Sequence, residues 1–292
     1  MNYHFIDQKL GAHVPWQKNI LSTLEYAYKM RMSACQFFMG SPKSFKRNEI
    51  SENDLRNSVT KVTHFPFGVF SHAPYLFNLC GSKACLAWEG DVIQDAKTQK
   101  VIDALSYELS IMAHFPISGV IVHPGNYDQR EVGLAKIAET ISRINFSPNS
   151  KLLLENAAGQ GTSLATTIAE LATIDNNVQP CKQQYIYFCI DTAHIHGFGE
   201  YDLRKCSEID RLFSDFDKLL GLDKWKLLHL NDSCVPLGCR KDRHELIAQG
   251  NIWKEDQTAL KYLVNKCCQH DIPIVLETTP EDVYNLYDLV KN

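Results

Sequence analysis

Eight short apolar runs recur along this 292-residue chain, and each ends on polar residues before a longer amphipathic segment begins. They occupy residues 11–13 (just after Phe5-Ile6), 34–39, 68–72, 119–123, 151–155, 185–191, 227–229 and 272–277, with helical patterns at about 20–30 and 93–112 among the intervening segments. Near-continuous apolar strands alternating with helices imply a parallel sheet covered on both faces. Eight such units in a chain of this length match an α/β fold of the (β/α)8 TIM-barrel type, usually about 250 residues long. An open, doubly wound sheet also satisfies the pattern. The two differ in what becomes of His72, His123, Glu155, Asp191, His229 and Glu277, which end six different runs. In an open sheet those ends form a line, whereas in a barrel they converge on one mouth, and a site with many ligands needs convergence. With no long Pro/Gly/Ser linker and no repeat beyond the βα unit, a single domain spanning residues 1–292 is expected.

Charge and segment composition narrow the function classes. A formal net charge of −4 gives no global positive field, so a nucleic-acid partner would need local Lys/Arg or bound cations. The first ten residues mix Asp and Lys without the apolar core of a signal peptide, and no stretch approaches the roughly 20 apolar residues of a membrane span. An intracellular location, cytoplasm or nucleus, without membrane association is therefore expected. Ten cysteines are scattered with no Cys-x-x-Cys, which favours reduced thiols. Cys80 with Cys85, Cys234 with Cys239 and Cys267 with Cys268 read as buried or incidental thiols.

His72, His123, Glu155, Asp191, His194, His229, Asp242, His244 and Glu277 supply five imidazoles and four carboxylates at run ends or in the following loops. Any one alone reads as a structural polar group. Together and unpaired, four carboxylates in one mouth would repel and raise each other's pKa, and divalent cations remove that problem. Asp242 and His244 stand two apart, so an extended backbone points both the same way. Imidazole and carboxylate donors without thiolate suit Zn2+, with Mn2+ or Fe2+ less well matched. Nine ligands exceed what one tetrahedral ion takes, so two or three ions with a bridging carboxylate are implied. Paired metals suit phosphodiester hydrolysis.

Ser71-His72-Ala73-Pro74-Tyr75-Leu76, Val122-His123-Pro124-Gly125, Leu154-Glu155-Asn156-Ala157-Ala158-Gly159-Gln160-Gly161, Cys189-Ile190-Asp191-Thr192-Ala193-His194, His229-Leu230-Asn231-Asp232, Asp242-Arg243-His244 and Leu276-Glu277-Thr278 resemble the signature segments of the endonuclease IV family of apurinic/apyrimidinic endonucleases. The resemblance runs in order from Gly11-Ala12-His13 to Glu277. It implies a DNA-repair enzyme on a TIM barrel with three Zn2+ ions and duplex DNA containing abasic sites as partner. One zinc would be held by His72, His123 and Glu155, a second by Glu155, Asp191, His229 and Glu277, and a third by His194, Asp242 and His244. Glu155, bridging two ions, would be the catalytic residue. Hydrolysis 5′ to the abasic site would leave a 3′-hydroxyl and a 5′-deoxyribose phosphate, and 3′-blocking groups would also be removed.

The same resemblance implies DNA contacts. Tyr75 and Leu76 stand at the family's Tyr-Leu insertion positions, where an aromatic and an aliphatic side chain can fill the gap of a missing base; the competing reading is packing of the loop on the barrel. Aligned through Phe37-Phe38, Lys43 stands where the family has an inserted arginine, and lysine lacks the planar fork that stacks. Independently of the resemblance, Lys46, Arg47, Arg240, Lys241 and Arg243 read as phosphate contacts, the competing reading being a solvated charged face. His13, Asn231 and Asp232 would orient ligands. A monomer is expected. Two other readings stand beside this one: a sugar isomerase or epimerase on the same barrel, with one or two ions held mostly by Glu and Asp, and a non-catalytic nucleic-acid-binding barrel with structural zinc, a class that favours Cys ligands.

Overall fold

The computed structural model describes residues 9–81 and 96–291. Phe5-Ile6, Cys85 and the first three positions of the expected 93–112 helix lie outside the described residues. The eight runs form eight parallel strands: β1 (Leu10–His13), β2 (Ala34–Phe38), β3 (Val69–His72), β4 (Ser118–Val122), β5 (Leu152–Glu155), β6 (Ile186–Asp191), β7 (Trp225–His229) and β8 (Ile274–Leu276). Neighbours in sequence are neighbours in space, and β8 returns to β1 in the register Leu10↔Ile274, Gly11↔Val275, Ala12↔Leu276. That closure excludes the open sheet and makes the fold a TIM barrel.

The helices cover the barrel because their apolar positions recur at helical spacing. In Cys206–Leu220 the buried positions Ile209, Leu212, Phe213 and Phe216 form one stripe. Phe213 and Phe216 pack on Trp225 of β7, with ring centroids 4.7 and 4.9 Å away. At the start of Ile20–Lys29, Asn19 accepts from the Ser22 amide while the Ser22 hydroxyl accepts from the Asn19 amide, satisfying two amides that helix geometry leaves free. Among the described residues no helix is long and apolar enough to cross a membrane.

Inside the barrel, Ala34, Phe70, Ile121, Leu153, Cys189, Leu227 and Val275 form a buried apolar plug. Strand side chains alternate between faces, so the residue two further along each strand points to the same interior. Those residues are Gln36, His72, His123, Glu155, Asp191, His229 and Glu277. One apolar layer thus closes the interior below, and one polar layer lies directly above it at the C-terminal mouth. On β1 the plug level is occupied by Gly11, where a Cβ would lie 1.9 Å from the Ala34 carbonyl oxygen. His13 follows two residues on.

Arg47 departs from expectation. It is buried, and its guanidinium donates to Glu108 Oε1 at 3.3 Å, to the Ser41 carbonyl at 3.1 Å and to the Ser44 carbonyl. Glu108, on helix Ala96–Met112, also accepts from the hydroxyl of Ser71, the residue before His72. Burial pushes the Glu108 carboxyl up, and Ser71 and Arg47 act against that rise. Arg47 therefore ties the loop carrying Lys43 to β3 instead of facing solvent. Removing one partner of a buried ion pair leaves an uncompensated charge, so Arg47→Ala should cost about 3 kcal/mol of stability in denaturant unfolding. A loss no larger than that of an exposed arginine would show that the pair carries little.

Candidate metal centre

The structure brings all nine sequence-identified residues together. Donor atoms of His72, His123 and Glu155 lie within 4.8 Å of one another, as do those of Glu155, Asp191, His229 and Glu277, and those of Asp191, His194 and His244. Asp242 joins the last group, with Oδ2 3.2 Å from His194 Nε2 and Oδ1 3.1 Å from His244 Nε2. Glu155 lies at the junction of the first two groups. Its Oε2 is 3.1 Å from His72 Nε2 and 3.5 Å from His123 Nε2, while its Oε1 is 3.0 Å from His229 Nδ1. Each oxygen of one carboxylate thus faces a different group.

Local structure explains how residues away from the strand ends arrive. Helix Thr192–Phe198 follows β6 directly, so His194 sits in its first turn, and Asp191 caps that helix by accepting from the His194 amide at 2.9 Å. The chain after β7 folds into a two-stranded antiparallel ribbon, Asp232–Ser233 against His244–Glu245, in the register Asp232↔Glu245 and Ser233↔His244. This turns the 234–243 loop back and returns Asp242 and His244 to the mouth.

Neighbouring polar groups fix which nitrogen each imidazole offers. His72 Nδ1 lies 2.7 Å from the Ala73 carbonyl, His194 Nδ1 2.8 Å from the Asn156 carbonyl, and His229 Nε2 2.7 Å from Gln36 Oε1. With the proton held at those atoms, His72 Nε2, His194 Nε2 and His229 Nδ1 present lone pairs to the cluster. Asn231 acts as expected: its Nδ2 donates to Asp191 Oδ2 at 2.7 Å and Glu277 Oε2 at 3.1 Å, and its Oδ1 accepts from the Glu277 amide at 3.0 Å. Asp232 does not. Alternation turns it away from the mouth, and it accepts from the amides of Ser233, Gly250 and Ile252.

Sequence reasoning missed Gln36, which holds His229 with its oxygen and donates to Glu277 Oε1 at 2.8 Å through Nε2. His13 reaches the cluster through this amide, its Nδ1 lying 3.0 Å from Gln36 Nε2. Asn156, whose Oδ1 accepts from the Asp191 amide at 2.6 Å, was likewise unassigned. The available signal was position: Gln36 stands two residues after the plug residue Ala34, in the register of the cluster residues.

The geometry has counterparts in known proteins. A family model described as a xylose isomerase-like TIM barrel matches residues 24–259. The chain is 30% identical over 278 residues to a protein of Clostridium beijerinckii named "Probable endonuclease 4", across 94% of this chain and 93% of that one. A protein of the same name from Nitrosopumilus maritimus is 30% identical over 280 residues, across 94% of each chain. The chain belongs to the endonuclease IV family. A crystal structure of endonuclease IV from Thermus thermophilus superposes with a TM-score of 0.77 at 25% identity, covering 97% of both chains. A D-tagatose 3-epimerase-like protein matches with a TM-score of 0.64 at 13% identity, 96% of each chain being covered, which is a likeness of fold alone.

The endonuclease IV cluster fits divalent cations on its own geometry. His244 Nε2 is buried without a well-formed hydrogen bond, although carboxylate oxygens lie close by. Glu155 and Asp191 are fully buried beside Glu277, an arrangement that needs positive charge. Nitrogen and oxygen donors converge without thiolate, since burial pushes the nearby Cys189 thiol up to about 12. In the metal-free chain the imidazoles supply the charge. Burial opposes it on His194, His229 and His244, yet Asp191 raises His194 well above the ordinary value, Glu277 and Glu155 do so for His229, and Asp191 with Asp242 lifts His244 to about 9. Burial likewise opposes ionisation of Glu155, but His123, His229 and His72 hold its carboxyl well below the usual range.

Without metal His72, His194, His229 and His244 are all shifted toward the protonated form, and a ligating nitrogen must be bare, so metal loading should release protons and weaken as pH falls. Calorimetric titration in two buffers of different ionisation enthalpy measures the number. Loading with no proton release would mean that these imidazoles are not the ligands.

Around the rim, Tyr75 is 60% exposed and meets Phe38 edge-on at 5.4 Å, with His72 and His123 5.6 and 6.0 Å away. Leu76 is half-buried against the core, which is the packing arrangement considered for it. Lys43, Lys46, Arg240, Lys241 and Arg243 are exposed, with Arg240 over the Phe198 ring. A cleft of about 530 Å3 opens beside the cluster between Tyr75, His123, His194, Asp242 and the 157–163 segment. The nine described cysteines are all free.

Proposed function

We propose that this chain is a zinc-dependent endonuclease of DNA repair, hydrolysing the phosphodiester 5′ to an abasic site in duplex DNA and removing 3′-blocking groups. One observation carries the reading: nine His, Asp and Glu side chains converge as three groups joined by Glu155 and Asp191. His72, His123 and Glu155 would hold one ion, Glu155, Asp191, His229 and Glu277 a second, and His194, Asp242 and His244 a third. Zinc bound there supplies Lewis-acid stabilisation of phosphoryl charge and activation of water at neutral pH.

The chain's own residues divide the remaining work. Glu155 sets the spacing of two groups by facing each with a separate oxygen. Gln36 and Asn231 lock His229, Asp191 and Glu277 in orientation, and the apolar plug keeps water from entering below. Exposed Tyr75 occupies the rim where it can lean into the gap left by a missing base, and Lys43 and Arg243 supply local positive charge to phosphates in a chain whose net charge is −4. Leu76, half-buried, would contribute through the loop's shape more than by insertion.

A sugar isomerase or epimerase shares the barrel, and fold likeness does not distinguish it. The third group, built from the ribbon and His194, favours the nuclease reading, because it adds a third imidazole-rich site next to the first two. The test is incision of a duplex with a single abasic analogue by the zinc-loaded protein. A nick 5′ to the lesion with a 3′-hydroxyl end supports the reading. An intact duplex together with turnover of a ketose would replace it.

A further inference from the structure

At the opposite mouth of the barrel, beneath the plug, the N-terminal ends of the strands enclose a second cavity of about 350 Å3. Phe67, Pro116, Ile117 and Pro273 give it apolar walls, and Ile117 leaves 47% of its surface in water. Lys151 and Lys226 line the same cavity. Lys151 stands just before β5, two residues below the plug residue Leu153. Lys226 is the second residue of β7, at the irregularity where the β6–β7 register passes from Phe188↔Trp225 to Cys189↔Leu227. That step leaves Lys226 without a ladder partner, and its Nζ lies 5.5 Å from the Tyr187 ring centroid.

Neither ammonium has an ion-pair partner among the described residues. The carboxylate on the cavity wall, Asp271, is engaged by Lys9. Burial and the nearby Lys226 charge both push the Lys151 ammonium down. Two like charges against apolar walls, with the wall's carboxylate already engaged by Lys9, are unfavourable until an anion completes the arrangement.

We infer that the base of the barrel is a binding site for a small organic anion, whose carboxylate, sulfonate or phosphate group is held by Lys151 and Lys226 and whose apolar body packs on Phe67, Ile117 and Pro273. The plug separates this site from the metal centre, so the two are occupied independently. The cavity volume suits a single-ring or short branched body, and the spread of two ammonium groups selects a charged head over a neutral one.

The full-length protein titrated with 4-fluorobenzenesulfonate, followed by fluorine NMR, tests this. The site requires saturable binding that is weaker by about tenfold or more for the uncharged 4-fluorophenyl methyl sulfone, and by about tenfold in Lys151→Met and in Lys226→Met. Duplex DNA should not displace the probe. No saturable binding, equal binding of the sulfone, full binding in both lysine variants, or displacement by DNA would each overturn the assignment. The sulfonate–sulfone comparison uses the wild-type protein and stands even if a variant folds poorly.

Discussion

Glu155→Gln should lower incision of an abasic duplex by about three orders of magnitude or more at saturating zinc, with DNA binding retained. The substitution keeps shape and one oxygen but removes the charge that faces two groups at once. Its new amide would point hydrogens at His72 and His123 or at His229, all of which must offer lone pairs. Because Glu155 is fully buried and has four imidazoles within 3.5 Å, those of His72, His123, His194 and His229, no water can substitute for the lost carboxylate. Gel-shift binding measured with the incision rate separates a catalytic defect from a folding defect. Wild-type incision by this variant at low free zinc would remove Glu155 from the mechanism.

His244→Ala acts on a different part of the cluster, and its expected signature is different. The ribbon that carries His244 lies outside the barrel wall, so the first two groups keep all their donors. Loss of one imidazole leaves Asp242 and His194 with only the shared Asp191 beside them, and Asp242 is 44% exposed. Bound zinc should fall by one ion per chain, and incision by about two to three orders of magnitude. A variant that kept its full metal content but lost activity would make His244 a substrate contact and not a ligand.

Much of the fold was legible because the strands obey a strict local rule. An apolar residue at the plug level and a polar one two positions later mark six strands, from Phe70/His72 to Val275/Glu277, and the polar members are His, Asp or Glu. The second strand obeys the same rule with Ala34/Gln36. There the polar member is an amide, flanked by Cys35 and the Phe37-Phe38 pair, so it does not stand out among titratable residues. Asp232 attracted attention through its neighbour Asn231, but successive strand residues face opposite sides, and only one of the two could reach the mouth. Arg47 was read as a phosphate contact because its partner, Glu108, lies 61 residues away and nothing local announces a buried pair. The ribbon that returns Asp242 and His244 has two-residue strands, too short for any periodicity. Its contribution was visible only as the i, i+2 spacing of the two side chains.

The central claim is that three groups on one scaffold hold three ions of one kind, and elemental analysis of the purified, dialysed full-length protein tests it most directly. The account predicts close to three zinc ions per chain, falling to about two in His244→Ala. A single magnesium per chain, or no tightly held metal, would contradict it.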